Sequence, residues 1–270
     1  MKSKILNTKK TQALRALILV CVAVHSMALA QSNAPINSTL PLADTHFHLM
    51  KFMTPEDLKA RMEKHNIRWV ISAGAIGGPD VGEPWMRDTA VHKLLGHGYI
   101  PGSGGREIYV AEKTEGLRFF NEPEHTLRQQ VLQTIEKQTQ ATKAVIVETF
   151  PNAENSSVDP MRRRRVAADG PLFQALMRIA AAAQVPLPMH LEWHPDSVAQ
   201  LKTLLTQHPQ GTVMLSHCGK TTVAQDIRTL FLQHSNVFCD LGFRGNPQTQ
   251  AESQRDPRRL IYWPSSLLRS

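Results

Sequence analysis

From Leu42 onward, short apolar runs rich in β-branched residues alternate with stretches whose apolar positions recur every three or four residues. The runs cover Leu42–His48 and residues 69–73, 144–149, 185–191, 212–217 and 236–241, and each has the length of a buried strand. Between them the pattern predicts helices. Thr54 is placed to cap one, with Pro55 at its first position and Asp57 at its third, and Leu58 and Met62 share its apolar face. Leu127, Val131 and Ile135 repeat at four-residue spacing. Pro171 and Pro195 stand where two more helices begin; Val198, Leu201 and Leu205 line one face of the second. Val223, Ile227, Leu230 and Phe231 line the face of another. Strand followed by helix, repeated, is the signature of βα units and a parallel sheet.

The first thirty residues belong to a different pattern. Lys2, Lys4, Lys9, Lys10 and Arg15 precede a short apolar run at 16–24, and Ala28-Leu29-Ala30 offers a small-x-small cleavage site before Gln31. This reads as a secretory signal peptide, because the apolar run falls well short of the roughly 20 residues that a bilayer span requires. It carries five of the 31 basic residues and none of the 23 acidic ones, so the mature chain is left with a net charge of only +3. The sequence pI of about 9.6 is then largely a property of the leader and gives no reason to expect a nucleic-acid partner. Residues 31–270 form one domain of the length typical of an eight-fold barrel, about 250 residues. Export would permit a disulfide between Cys218 and Cys239, but two buried thiols are the plainer expectation.

Residues 74–123 are less regular, with one further strand suggested near Tyr99. Gly77-Gly78-Pro79 and Pro101-Gly102-Ser103-Gly104-Gly105 read as loop, since they lack the Lys-Ser/Thr ending of a phosphate-binding loop and no clear helix pattern follows. The run Arg162-Arg163-Arg164-Arg165 reads as a solvated surface, with attraction of an anionic substrate as the alternative.

The chemistry lies at the ends of the strands. In Asp44-Thr45-His46-Phe47-His48 the two histidines sit two positions apart on a strand and project to the same side, so two imidazoles converge. His190 closes the apolar run before it, His217 closes the next, and Glu148 closes the run at 144–147. Four strands thus deliver a metal-competent side chain to one rim, the rim where barrel active sites are built. Neutral imidazole is a common ligand of zinc and similar ions. His194 stands where it can touch substrate or begin a helix, and Asp240 where it can orient a ligand or satisfy backbone donors.

His-x-His after a first strand, followed by single histidines after later strands, resembles the amidohydrolase-related superfamily of metal-dependent hydrolases over nearly the whole mature chain. The resemblance implies an α/β fold of the TIM-like (β/α)8 type, one or two divalent ions, most often zinc, and a metal-activated water that cleaves an amide, ester or related bond of a small substrate. His46, His48, His190 and Glu148 match the metal ligands, and His217 matches the sixth-strand histidine that binds a second metal or orients water and substrate. Relatives also carry an aspartate after the eighth strand. Here only Glu252 and Asp256 follow Asp240, so the resemblance predicts a barrel incomplete at its C-terminus. It leaves open two other readings, a decarboxylase of the same superfamily and a non-catalytic remnant. Substrate, metal identity and oligomeric state are not legible in the sequence.

Overall fold

The computed structural model describes residues 41–49, 53–74, 82–154, 163–219 and 222–240. The signal-like segment, Gly77-Gly78-Pro79, Arg162, and the acidic residues Glu252 and Asp256 all lie outside them. Among the described residues, strand β1 (Leu42–His48) is followed by helix α1 (Pro55–Lys64), β2 (Ile67–Gly74), α2 (Gly82–Leu95), β3 (Tyr99–Ile100) and β4 (Gly102–Ser103). Next come α3 (Gly105–Glu115), α4 (Arg118–Asn121), α5 (Thr126–Thr142), β5 (Val145–Ile146) and α6 (Pro171–Ala183). The order ends with β6 (Leu187–His190), α7 (Pro195–Gln207), β7 (Val213–Ser216), α8 (Ala224–Gln233) and β8 (Val237–Cys239).

The strand pairings are all parallel and run in chain order, β1 with β2 with β3, β4 with β5, and β6 with β7 with β8. Pro101 alone separates β3 from β4, and the two act as one strand position. Backbone bonds just past β5 join the three groups. Val147 donates to the Ser103 carbonyl, Glu148 to that of Ala73, and Thr149 to that of Pro188, while His190 donates to Thr149. Among the described residues, seven consecutive parallel positions with helices between them form the wall of a TIM-like α/β barrel. The wall curls, because the His46 side chain of β1 meets that of Asp240, directly after β8, at 2.8 Å.

The helix signals act locally. Asp57 N–H donates to Thr54 Oγ1 at 3.0 Å and Thr54 N–H to Asp57 Oδ2 at 3.1 Å, a reciprocal cap that starts α1 at Pro55. Leu58 and Met62 then bury against Val70, Val91 and Tyr99. The main core lies between the sheet and helices α3 to α8, where Leu172, Leu176, Leu201, Leu204 and Ile227 pack on Leu187, Met189, Val213 and Leu215.

Three expectations need correction. The glycine-rich segment at 101–105 is not a loose loop: it contains β4, and helix α3 follows at once. Two of its glycines are required by proximity. A Cβ on Gly102 would sit 2.8 Å from Val147, and one on Gly104, whose φ is +82°, would sit 2.7 Å from Ile135. Helix α3 escaped the pattern because Ala111 is its one fully buried residue, too narrow a stripe to set a period. Second, Cys218 and Cys239 are joined in a disulfide, with their Cα atoms 4.9 Å apart. Third, the arginine run is not simply solvated. Arg164 is half-buried, paired with Glu112 and stacked over Phe120 at 4.3 Å, and Arg165, though exposed, bridges Glu154 and Asp196.

Candidate metal centre

All five sequence-selected site residues come together at the C-terminal ends of their strands. His46 and His48 end β1, which is irregular in register against β2 on either side of Phe47. Local disruption of a ladder is a common way to re-aim side chains beside a site. Glu148 follows β5, held by the backbone bonds on both sides of it, His190 ends β6, and His217 follows β7. Glu148 lies at the centre with its side chain 2% exposed. Its Oε2 is 3.5 Å from Nε2 of both His46 and His48, whereas its Oε1 faces His190 Nδ1 at 3.4 Å and His217 Nε2 at 4.0 Å. One carboxylate therefore presents an oxygen to each of two histidine pairs.

The hydrogen bonds around His46 and His48 decide where their protons are. His46 Nδ1 lies 2.8 Å from Asp240 Oδ2, and His48 Nδ1 lies 3.0 Å from the carbonyl oxygen of Gly74. An ionised carboxylate and a carbonyl only accept, so each Nδ1 carries the hydrogen. In the neutral imidazoles both Nε2 atoms are then bare lone pairs, and they stand 2.9 Å apart. With Glu148 Oε2 beside them, three acceptors converge on one point. Such an arrangement requires a cation, either a proton or a metal ion.

The ionisation of the residues follows from the same geometry. Burial by itself lowers the His46 pKa, but its hydrogen bond with Asp240 and the approach of Glu148 outweigh burial and raise it to about 10. Without a metal, a proton on His46 supplies the cation. Burial would raise the pKa of Glu148, yet the neighbouring imidazoles of His190, His46 and His48 hold its carboxyl well below the usual range. His217 goes the other way: burial above all, with His46 and His190 close by, lowers its pKa to about 4 against the pull of Glu148, so this ring stays neutral.

The residues present fit a divalent ion. Glu148 Oε1 and both ring nitrogens of His190 are buried without a hydrogen-bond partner among the described residues. Orphaned buried polar atoms are costly unless something satisfies them. Histidine nitrogens with a carboxylate are the donor set of zinc and related transition metals. Ligand-capable atoms of His46, His48 and Glu148 lie within 4.8 Å of one another, as do those of Glu148, His190 and His217 and those of His46, His217 and Asp240.

Asp240 plays a larger part than its place in the sequence suggested. Besides holding His46, its Oδ1 accepts from the His217 backbone N–H at 3.2 Å. It does both things considered for it, orienting a site histidine and satisfying a backbone donor. The Gly74 carbonyl was not foreseen at all, since a backbone acceptor leaves no mark on residue type. His217 and Cys218, at φ +57° and +49°, take left-handed backbone conformations, each costing about 1–2 kcal/mol. Phe150 stacks on the His190 ring at 5.1 Å. His194 occupies the N-cap position of α7, with its Nε2 3.0 Å from Glu154. Glu154, Glu192 and His194 also form a cluster, but Arg165 already pairs with Glu154 there.

No family model matches the sequence, and no curated protein matches it. Several solved structures resemble the fold at low identity. An uncharacterised TIM-barrel protein from Bordetella bronchiseptica aligns with 74% of this chain at 16% identity and a TM-score of 0.45; the alignment spans 64% of that protein's length. A 2,6-dihydroxybenzoate decarboxylase aligns with 80% of this chain at 10% identity and a TM-score of 0.41, over 85% of its own length. A putative amidohydrolase from Staphylococcus aureus aligns with 78% at 9% identity and a TM-score of 0.41, over 82% of its length.

Proposed function

We propose that this chain is an exported metal-dependent hydrolase of the amidohydrolase type, in which His46, His48, Glu148 and His190 hold one or two divalent ions, zinc foremost. The observation that carries the reading is the pair of Nε2 lone pairs 2.9 Å apart, with both Nδ1 hydrogens committed to Asp240 and Gly74. When bound, a divalent ion supplies a Lewis acid and brings the pKa of water from near 16 to about 7. The protein's own groups do the rest. Asp240 and the Gly74 carbonyl lock both imidazoles in the tautomer that turns Nε2 inward. Glu148 supplies the negative charge that retains a cation, and His217, kept neutral by burial, offers a ring nitrogen that can orient water or the scissile group of a small substrate. Residues 1–30 act as the export signal in this reading. The Cys218–Cys239 disulfide supports it, because such bonds persist in oxidising compartments. Among the described residues no helix is long and apolar enough to cross a membrane.

Elemental analysis of the purified protein beside a His46→Ala/His48→Ala double variant tests the metal. Near-stoichiometric metal that disappears in the double variant is expected; a folded parent protein devoid of metal would refute the assignment. A panel of amides and esters then tests the reaction, with turnover requiring the metal and His46 and His48. Release of carbon dioxide from an aromatic acid without consumption of water would identify a decarboxylase instead. N-terminal sequencing of secreted material tests export, with Gln31 expected as the first residue.

A further inference from the structure

Immediately after β7 the chain makes a corner that few sequences tolerate. His217, Cys218 and Gly219 follow one another with φ of +57°, +49° and +64°. Consecutive left-handed residues that are not glycine are unfavourable, and they persist only where the surroundings over-determine them. The corner also does something specific: it sets the His217 ring on the His46 ring, with centroids 4.6 Å apart, and aims Nε2 toward Glu148.

Two fastenings of this corner run to the same place. The His217 N–H donates to Asp240 Oδ1 at 3.2 Å, and Cys218, fully buried, is bonded to Cys239. Residues 217 and 218 are thereby tied to 240 and 239, once through a hydrogen bond and once through a covalent bond. The other oxygen of Asp240 holds His46 Nδ1 at 2.8 Å. The β7–β8 register brings Cys239 opposite Leu215, and Asp240 N–H donates to the Leu215 carbonyl at 3.2 Å. The ends of both strands are therefore in place to receive the bridge.

We infer that the Cys218–Cys239 disulfide is a positioning device for the metal centre, a clamp that holds His217 in its left-handed corner and keeps Asp240 aimed at His46. The inference rests on the metal-binding reading above. The two cysteines do not touch the reacting atoms; they act through their neighbours in sequence, His217 and Asp240. Loss of the clamp frees the corner to relax toward right-handed backbone, and Asp240 then loses the His217 N–H that helps to fix its carboxylate. Outer partners of metal ligands typically contribute 10–100-fold to metal affinity, and a loss in that range is the expected effect.

The test is Co2+ binding to the metal-stripped, oxidised protein, to a Cys218→Ala/Cys239→Ala variant, and to Leu201→Ala, a core truncation in α7. Alanine is used so that no free thiol can ligate the ion. The oxidised protein should bind Co2+ with a defined visible spectrum. The double-alanine variant should bind about 10–100-fold more weakly with an altered spectrum, whereas Leu201→Ala should lose stability but keep both affinity and spectrum. If the double-alanine variant does not fold, Cys218→Ser/Cys239→Ser, closer in size to the half-cystines and without a thiol at either position, takes its place in the same titration. Weaker Co2+ binding in the folded variant supports the clamp. Unchanged affinity and spectrum in the folded variant overturns the clamp while leaving the metal centre intact. If the oxidised protein itself binds no Co2+, the metal reading fails and the clamp falls with it.

Discussion

His46 and Asp240 are separated by 194 positions in the chain, and their side chains meet at 2.8 Å. The contact joins the first strand of the wall to the residue after the last described one. It also fixes the tautomer of the imidazole at the centre of the site. Barrel curvature and site chemistry are thus expressed in a single hydrogen bond.

Replacing Asp240 with alanine should therefore weaken metal binding about 10–100-fold without preventing folding. The His46 ring loses the acceptor that holds its Nε2 inward, and the His217 backbone loses one of its fastenings. Calorimetric titration of zinc into the metal-stripped variant checks this; an affinity equal to that of the parent would show that Asp240 does not orient His46.

The metal-free protein should be most stable near neutrality and lose stability on both sides. His217 has its pKa lowered to about 4 in the fold, so its contribution is complete above the unfolded value of 6.5 and is lost as the pH falls toward 4. Glu148, also depressed, adds to the loss below about 4.5. His46 is raised to about 10, so its contribution is complete below 6.5 and fades as the pH climbs through 10. Bound zinc takes over the role of the His46 proton, and the alkaline fall should then shrink. Thermal unfolding from pH 4 to 10, with chelator and with zinc, gives the answer; a profile that ignores zinc above pH 7 would contradict this account.

Gly104→Ala should destabilise the fold by about 1–3 kcal/mol. The new Cβ would meet Ile135, a fully buried core residue, at 2.7 Å, on a backbone held at φ +82°. Urea unfolding measures the cost. A loop free to move would show almost none, so a negligible change would restore the reading of residues 101–105 as flexible.

Arg128→Met should cost about 2–4 kcal/mol, because burial leaves unpaired carbonyls unsatisfied. The Arg128 side chain lies in the buried stripe of α5 beside Val131 and Ile135, and its guanidinium donates to the carbonyls of Phe119, Glu122 and Pro123 around the end of α4. Methionine keeps most of the volume and removes the donors. Equal midpoints of chemical denaturation for the two proteins would mean that these bonds add nothing.

The sequence alone determined the alternation of strand and helix and the residues at the strand ends, while the expectation of a TIM-like barrel came from the family resemblance. Those signals are local. A strand shows itself by its apolar run, a helix by its period and its cap, and a candidate site side chain by standing where an apolar run stops. His46, His48, Glu148, His190 and His217 were legible for that reason. What depended on neighbours distant in the chain was not. The joining of Cys218 to Cys239, the glycines pressed against Val147 and Ile135, and the pairing of Arg164 with Glu112 are set by which surfaces the packed core brings together. The protonation of the centre is the clearest case. Two histidines two positions apart could point their nitrogens in many ways, and only the fold, by placing the Gly74 carbonyl behind one ring and Asp240 behind the other, turned both lone pairs to the same point.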